Sequence, residues 1–399
     1  ITANTLTNAT SNAVITANGN TAVQANDISN TAKSSIAVDK LITNNQQAGN
    51  RLNNDNSRIQ ITGADWKLNQ FSNNKGQIVS QQNINIDSQQ GIDNTAGTLA
   101  SQKDITLMTQ GNVNNSKGVI QAQGIALQGN QLDNIRGRLY AEGAVDLTLN
   151  SKTNNTQGAI SAKQEVKIAT GSLVAQDSGL IRSGKALDIT VKDRLENLDN
   201  SLIAAGTHVD IKANNISQDA TSKTIAGLDQ QGALSTDEYD LTISTESTQD
   251  NQGQNIATGN LAMVGSGLKL NSATLQANDI QLTAKDNSVN LQDSKVYADG
   301  NFDLKAAQDA RLNSGEISAK QIDILASNID NTAGNLYADS IINLNQTKSG
   351  GTLLNASGKI ASKDALNITF DTVNNTGKDA LLLSDKTINI KALQVNNNN

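Results

Sequence analysis

Side chains able to do chemistry are few and scattered. The only histidine is His208, in Gly206-Thr207-His208-Val209, and cysteine is absent. One imidazole without a thiolate cannot make the His/Cys ligand set of a transition-metal centre, so no metal and no cofactor are expected. It could act as the base of a Ser-His-Asp triad, but no G-x-S-x-G nucleophile turn accompanies it. His208 precedes an apolar pair and is expected to point outward at a corner. The absence of Cys also removes disulfides and leaves the redox compartment open.

Carboxylates are more suggestive, because β-solenoid glycan enzymes work with acidic pairs on one face. Asp146, Asp188, Asp210, Asp303 and Asp323 each lie between the two apolar residues of an alternating pair. That register turns them outward, as on a solvated β face. Trp66 shares parity with Ala64 and Leu68, which suits a core position better than a sugar platform. Aromatic residues are only 2% of the chain, a poor supply for stacking sugars. No catalytic residue is therefore assigned and no small-molecule substrate is expected.

What positions these residues is a repeat. Gly76, Gly97, Gly118, Gly137, Gly158 and Gly179 recur at gaps of 21, 21, 19, 21 and 21. Three residues before the first five stand Asn73, Asn94, Asn115, Asn134 and Asn155, with Gln176 breaking the column. Two residues after each Gly is Ile78, Leu99, Ile120, Leu139, Ile160 or Ile181. Alternating pairs follow, such as Ile84/Ile86, Ile105/Leu107 and Val166/Ile168, and period 2 means strand. A third apolar column holds Phe71, Ile92, Val113, Leu132 and Val174, with Thr153 as its exception. Three inward segments in ~21 residues leave no room for the helical crossover of a βαβ unit. The expected fold is all-β, a right-handed parallel β-helix with three strands per coil, in which stacked Asn amides can bond along their column. Gly and Asn are expected to supply the positive φ of the corners. About 19 such coils would make a rod on the order of 90 Å long.

Composition agrees with a narrow core: 36% of the 399 residues are hydrophobic, Pro is absent and charged residues are 17%. Disorder would bring Pro and higher charge. A net charge of -7 offers no basic face, so nucleic acid is not an expected partner. The coils are expected over 1–217, with 1–35 irregular, and again, more loosely spaced, over 263–399. Between them, 218–262 loses the columns and reads as a polar insertion or a junction between repeat types. Loops on stiff scaffolds carry contacts, so Tyr239, Thr242 and Glu246 are its candidate contact residues. Ile1-Thr2-Ala3-Asn4 opens inside a repeat-like pattern, which suggests a piece of a longer chain.

Ile92-Asp93-Asn94-Thr95-Ala96-Gly97-Thr98-Leu99, Leu132-Asp133-Asn134-Ile135-Arg136-Gly137-Arg138-Leu139 and Ile329-Asp330-Asn331-Thr332-Ala333-Gly334-Asn335-Leu336 resemble the l-x-N-x-x-G-x-l-x-a repeat of filamentous haemagglutinins and contact-dependent growth-inhibition effectors. The likeness covers about 50–213 closely and 266–399 more loosely. It implies secretion through an outer-membrane partner in a two-partner system, a filament on the surface of a Gram-negative bacterium, and display of adhesive or toxin-delivery regions to a receptor on a neighbouring or host cell. The family's N-P-N-type secretion motifs are not present in this Pro-free sequence, and since the repeats run to Leu393, a toxin-like domain is expected to lie outside it. A stalk segment and no enzyme is the reading; a polysaccharide-active β-helix or a tailspike-like glycan binder is the alternative.

Overall fold

The computed structural model describes residues 1–17, 19–43 and 50–398. The chain is a parallel β-solenoid of about 19 coils in two sheets, with no helix among the described residues. It divides into two compact units, Ile1–Lys192 and Asp193–Asn399.

In the first unit a coil is three short strands. Gln77–Ser80 lies in one sheet, while Ile84–Ser88 and Gly91–Asp93 lie in the other. The alternating sequence makes them strands because every second side chain has an apolar column to join. Ile78, Leu99, Ile120, Leu139, Ile160 and Ile181 stack in successive parallel rungs, all fully buried. Burying each is worth about 1.5–3 kcal/mol, and a column repeats that gain coil after coil. Residues 1–35 join the same ladders: Thr2–Asn8 pairs with Ala22–Asn30, and Val14–Thr16 with Ser35–Ala37. Their Thr- and Asn-rich strands hide the pattern from hydrophobic periodicity.

The asparagines form a continuous buried ladder. Asn8, Asn30, Asn54, Asn73, Asn94, Asn115 and Asn134 each pass a side-chain amide hydrogen to the side-chain carbonyl of the next, at 2.7–2.9 Å, and the ladder ends at Asn155. Asn94 Nδ2 also reaches the carbonyls of Gly97 at 3.2 Å and Val119 at 3.3 Å, tying its own turn to the following coil. The residue before the ladder Asn often caps the same turn: Asp93 Oδ1 accepts the Thr95 amide at 2.9 Å, and Asn114 and Asn154 act likewise.

Three sequence expectations need correcting. First, the column glycines do not supply the positive φ; the residue before them does, at Lys75 (53°), Ala96 (53°), Lys117 (60°), Arg136 (57°) and Gln157 (54°). Glycine follows for want of space: a Cβ on Gly97 would collide with the Asn73 carbonyl and lie 2.6 Å from Asn94 Oδ1. Second, Leu173 continues the third column opposite Thr153, while Val174 pairs with Asn154 and is only partly buried. Third, Ala175 therefore follows Asn155 in the Asn column, not Gln176. The turn there is one residue longer and holds two left-handed residues, Asp177 (53°) and Ser178 (67°), as it does at Ala32 and Lys33.

In the second unit the polar segment 218–262 is not one loop. Lys223–Ala226, Leu241–Thr245, Gln249–Asn251, Gln254–Ala257 and Leu261–Gly265 are strands in parallel register with their neighbours. The columns vanish from the sequence because buried polar residues occupy them: Thr224, Gln249, Asn251 and Asn255 are 0–1% exposed. Asn251 and Asn255 exchange two amide hydrogen bonds, at 3.0 and 2.9 Å, so their burial is compensated. Only 227–240 leaves the coil pattern. Farther on, buried Leu270, Leu291 and Leu312 take the Asn position, before a ladder of Asn331, Asn355, Asn375 and Asn397 resumes at 2.7–2.8 Å.

These contacts separate two neighbouring positions. Gly97→Ala should destabilise the protein by about 1–3 kcal/mol through overpacking, whereas Ala96→Gly should be neutral or stabilise by up to about 1 kcal/mol by relieving the left-handed backbone. Urea unfolding of both variants beside the parent measures it; equal losses would contradict the steric account.

Candidate functional site

The departure at 227–240 is held at both ends. Leu228 packs on Ala204 and Ile225 and bridges to Leu234. Asp229 Oδ1 accepts the amides of Gln231 and Ala233 at 2.9 and 2.8 Å, closing the tip. At the far end His208 Nδ1 accepts the Asp240 amide at 3.0 Å, and the Tyr239 ring meets the imidazole edge-on with centroids 5.4 Å apart. The Tyr239 amide donates to Thr258 Oγ1 at 3.1 Å. His208 is thus exposed, with its side chain 55% accessible, and fastens the loop to the solenoid.

The three candidate contact residues are separate features. Tyr239 closes this loop and is half-buried; Thr242 faces outward on the next strand, in register with Asp210 and Ala262; Glu246 is exposed beyond that strand. Among the described residues no hydrogen bond or ring contact joins the three. His208, the anchor, has no sequence signal beyond being unique.

Among the described residues one of the five outward carboxylates, Asp210, forms a surface ion pair. Asp210 meets the Lys212 ammonium at 2.5 Å. Asp303 and Asp323 are adjacent rungs, and Asp323 accepts amide hydrogens from Gln321 and Asn343, both at 2.6 Å. From Asn343 an outer ladder continues through Asn367 and Asn389, each link 2.8 Å. Burial raises the Asp303 carboxyl above the usual range, and the Asp323 and Asp279 charges add to the rise, against Lys305. Among the described residues no group of three metal-ligating side chains converges.

A constellation that sequence reading missed recurs once in each unit. Tyr140 donates its hydroxyl to Glu142 Oε1 at 2.7 Å, and Lys163 of the next coil pairs with the same carboxylate. Tyr337 donates to Asp339 at 3.1 Å, Lys363 of the next coil pairs with Asp339, and its ammonium is 5.9 Å from the Tyr337 ring centroid. The Lys hydrogen bond, then the Tyr one, holds each carboxyl below its ordinary range. The signal was available: Tyr-Ala-Glu or Tyr-Ala-Asp occurs at 140–142, 297–299 and 337–339 in a chain with four tyrosines.

A Yersinia pestis protein named Toxin CdiA is 41% identical over 88 residues, which are 22% of this chain and 3% of that protein. An Escherichia coli protein of the same name is 29% identical over 184 residues, 45% of this chain and 6% of that protein. The expected kinship with growth-inhibition effectors is borne out. The chain thus corresponds to a small part of those CdiA proteins. No family model and no solved structure matches it.

Two outcomes follow from the site chemistry. His208→Ala removes the acceptor of the Asp240 amide, so amide exchange in 237–240 should speed up at least about tenfold, a loss of about 1.4 kcal/mol or more in local stability; exchange at the parent's rate would show that the imidazole does not hold the loop. Because folding raises the Asp303 pKa, its contribution is fully favourable below the ordinary carboxylate range and is lost as pH rises through the raised value. Asp303→Asn should therefore raise the melting midpoint modestly at pH 7 and not at pH 3, as a thermal series across pH would record.

Proposed function

We infer that this chain is a stalk segment of a secreted bacterial exoprotein, whose work is reach and display. The observation that carries the reading is the continuity of the coils: the same columns that close one coil prepare the next, so the sequence is spent on making length. Kinship with the CdiA proteins supports it. On this reading the parent protein leaves a Gram-negative cell through an outer-membrane secretion partner and lies at the cell surface. The stalk carries adhesive or toxin-delivering regions toward a receptor on a neighbouring or host cell.

The inside and outside of the coil support that division of labour. Inward positions are committed to columns, while outward ones vary without breaking a rung, as Asn85, Thr106, Ala126 and Asp146 do in successive coils. The loop 227–240 departs from this rule, and Tyr239 within it, Thr242 on the following strand and Glu246 beyond that strand remain the proposed contact residues for a receptor.

Small-angle X-ray scattering tests the stalk. A rod on the order of 90 Å requires a radius of gyration of at least about 26 Å, and a globule of this length would give about 21 Å. The larger value with an extended distance distribution is expected; the smaller one overturns the reading.

A further inference from the structure

The recurring constellation of tyrosine, acid and lysine has no part in closing the coil. Tyr140 points outward between Gln121 and Ser161 of the flanking coils, and Tyr337 between Ser318 and Ala361. Each ring is larger than the two outward side chains that flank it directly, Tyr297 stands two coils away in the Tyr337 column, and Tyr337 is 40% exposed. Trp66, Phe71, Phe302 and Phe370 are buried, whereas Tyr297 is 37% exposed and Tyr239 half-buried, so the rings that carry a hydroxyl are the ones placed outside. Placing a ring outside therefore calls for an explanation in what it meets.

We propose that Tyr140 with Glu142 and Lys163, and Tyr337 with Asp339 and Lys363, are two similar contact sites for neutral pyranose units of a glycan. The ring offers a flat apolar face with a polar tip. A pyranose offers the complement, an apolar C–H face of similar size rimmed by hydroxyls. The carboxylate accepts from a hydroxyl and the lysine ammonium donates to one, so both hydrogen-bonding senses border the ring. Because acid and lysine neutralise each other in an ion pair, neither triad offers an uncompensated charge of its own to a uronate or sulfated sugar, and a neutral sugar suits it better. A protein partner suits the sites less well: a stable protein interface needs about 800 Å² per side with an apolar centre, and Tyr140 is bordered by Gln121, Arg138, Ser161 and charged residues.

A single ring and two polar groups on an open face imply affinity in the millimolar range. Saturation-transfer NMR with maltotetraose and chitotetraose, and with tetragalacturonate as the anionic comparison, reads such binding directly. The parent should transfer magnetisation to at least one neutral probe and several-fold less to the anionic one. Tyr140→Ala and Tyr337→Ala should each roughly halve the signal and together abolish it, while the paired Tyr→Phe changes, which keep the stacking face, should retain part of it. Unchanged circular dichroism and melting midpoint in the same samples separate loss of the site from loss of the fold. No transfer from the parent to either neutral probe, equal transfer to tetragalacturonate, or full signal in the doubly Ala-substituted protein would each overturn the proposal. Scattering from the parent decides the stalk reading independently.

Discussion

The constraint on which the coil depends is that a buried primary amide must satisfy both its donors and its acceptor inside a dry, narrow core. A stack of identical asparagines meets it with one repeated geometry: the amide of one coil bonds to the carbonyl of the next while its other hydrogen serves backbone carbonyls of the turn. Other regularities follow. The turn must bring its own carbonyl to the amide, which fixes the three-residue spacing to Gly76, Gly97 and their equivalents. The close approach of coils there excludes a Cβ at the glycine, and the chain reverses by placing the preceding residue, of any type, in the left-handed region. Lys, Ala, Arg and Gln all serve, because that side chain points away from the crowded side.

Where the asparagine goes, so does much of the need for glycine. Leu270 and Leu291 stand in the ladder position and are followed, three residues on, by Ala273 and Ser294. Leucine fills the column without an amide to satisfy, and the turn tolerates a Cβ. The chain thus contains two solutions to one corner, a polar one that fixes register through hydrogen bonds and an apolar one that fills volume. A third appears at Asn30 and Ser34, where a longer turn lets the serine hydroxyl donate to Asn30 Oδ1 at 2.8 Å.

This explains what the sequence made legible. The three columns of 71–181 could be read because their residues are apolar at fixed spacing and the turn has one length. Reading failed where either condition lapsed. One extra residue at 176–179 shifted the column from Val174 to Leu173. Buried Gln249, Asn251 and Asn255 made a run of true strands look like a polar insertion, since hydrophobic periodicity has no symbol for a polar residue whose partner is one coil away. The Tyr140 and Tyr337 constellations were only half legible for a related reason: the tyrosine and acid stand together in the sequence, but the lysine that completes each comes from the next coil, more than twenty residues on, at an offset that changes with loop length. A sequence shows periodic neighbours well and neighbours across a variable loop poorly.

Ladder arithmetic also says why few long ladders are better than many short ones. The last amide of a ladder can turn to a backbone carbonyl, as Asn155 does to Leu180 at 2.9 Å. The first carbonyl has less recourse, because it needs a donor on the preceding coil or a hydroxyl in its own turn, such as the one Ser34 offers Asn30. Asn331 begins a ladder after Leu312, and its Oδ1 has no hydrogen-bond partner; the same holds for Asn197, which begins the link to Gln218. Each such head costs about 1–3 kcal/mol. That cost is fixed per ladder, while the register it enforces grows with every added rung. In 1–192 the whole run from Asn8 to Asn155 has one head, and Asn8 is 6% exposed and absent from the unpartnered groups. Interrupting a ladder with leucine is therefore a thermodynamic expense even where the leucine packs well, and a solenoid built mainly from asparagine corners is driven toward long uninterrupted columns.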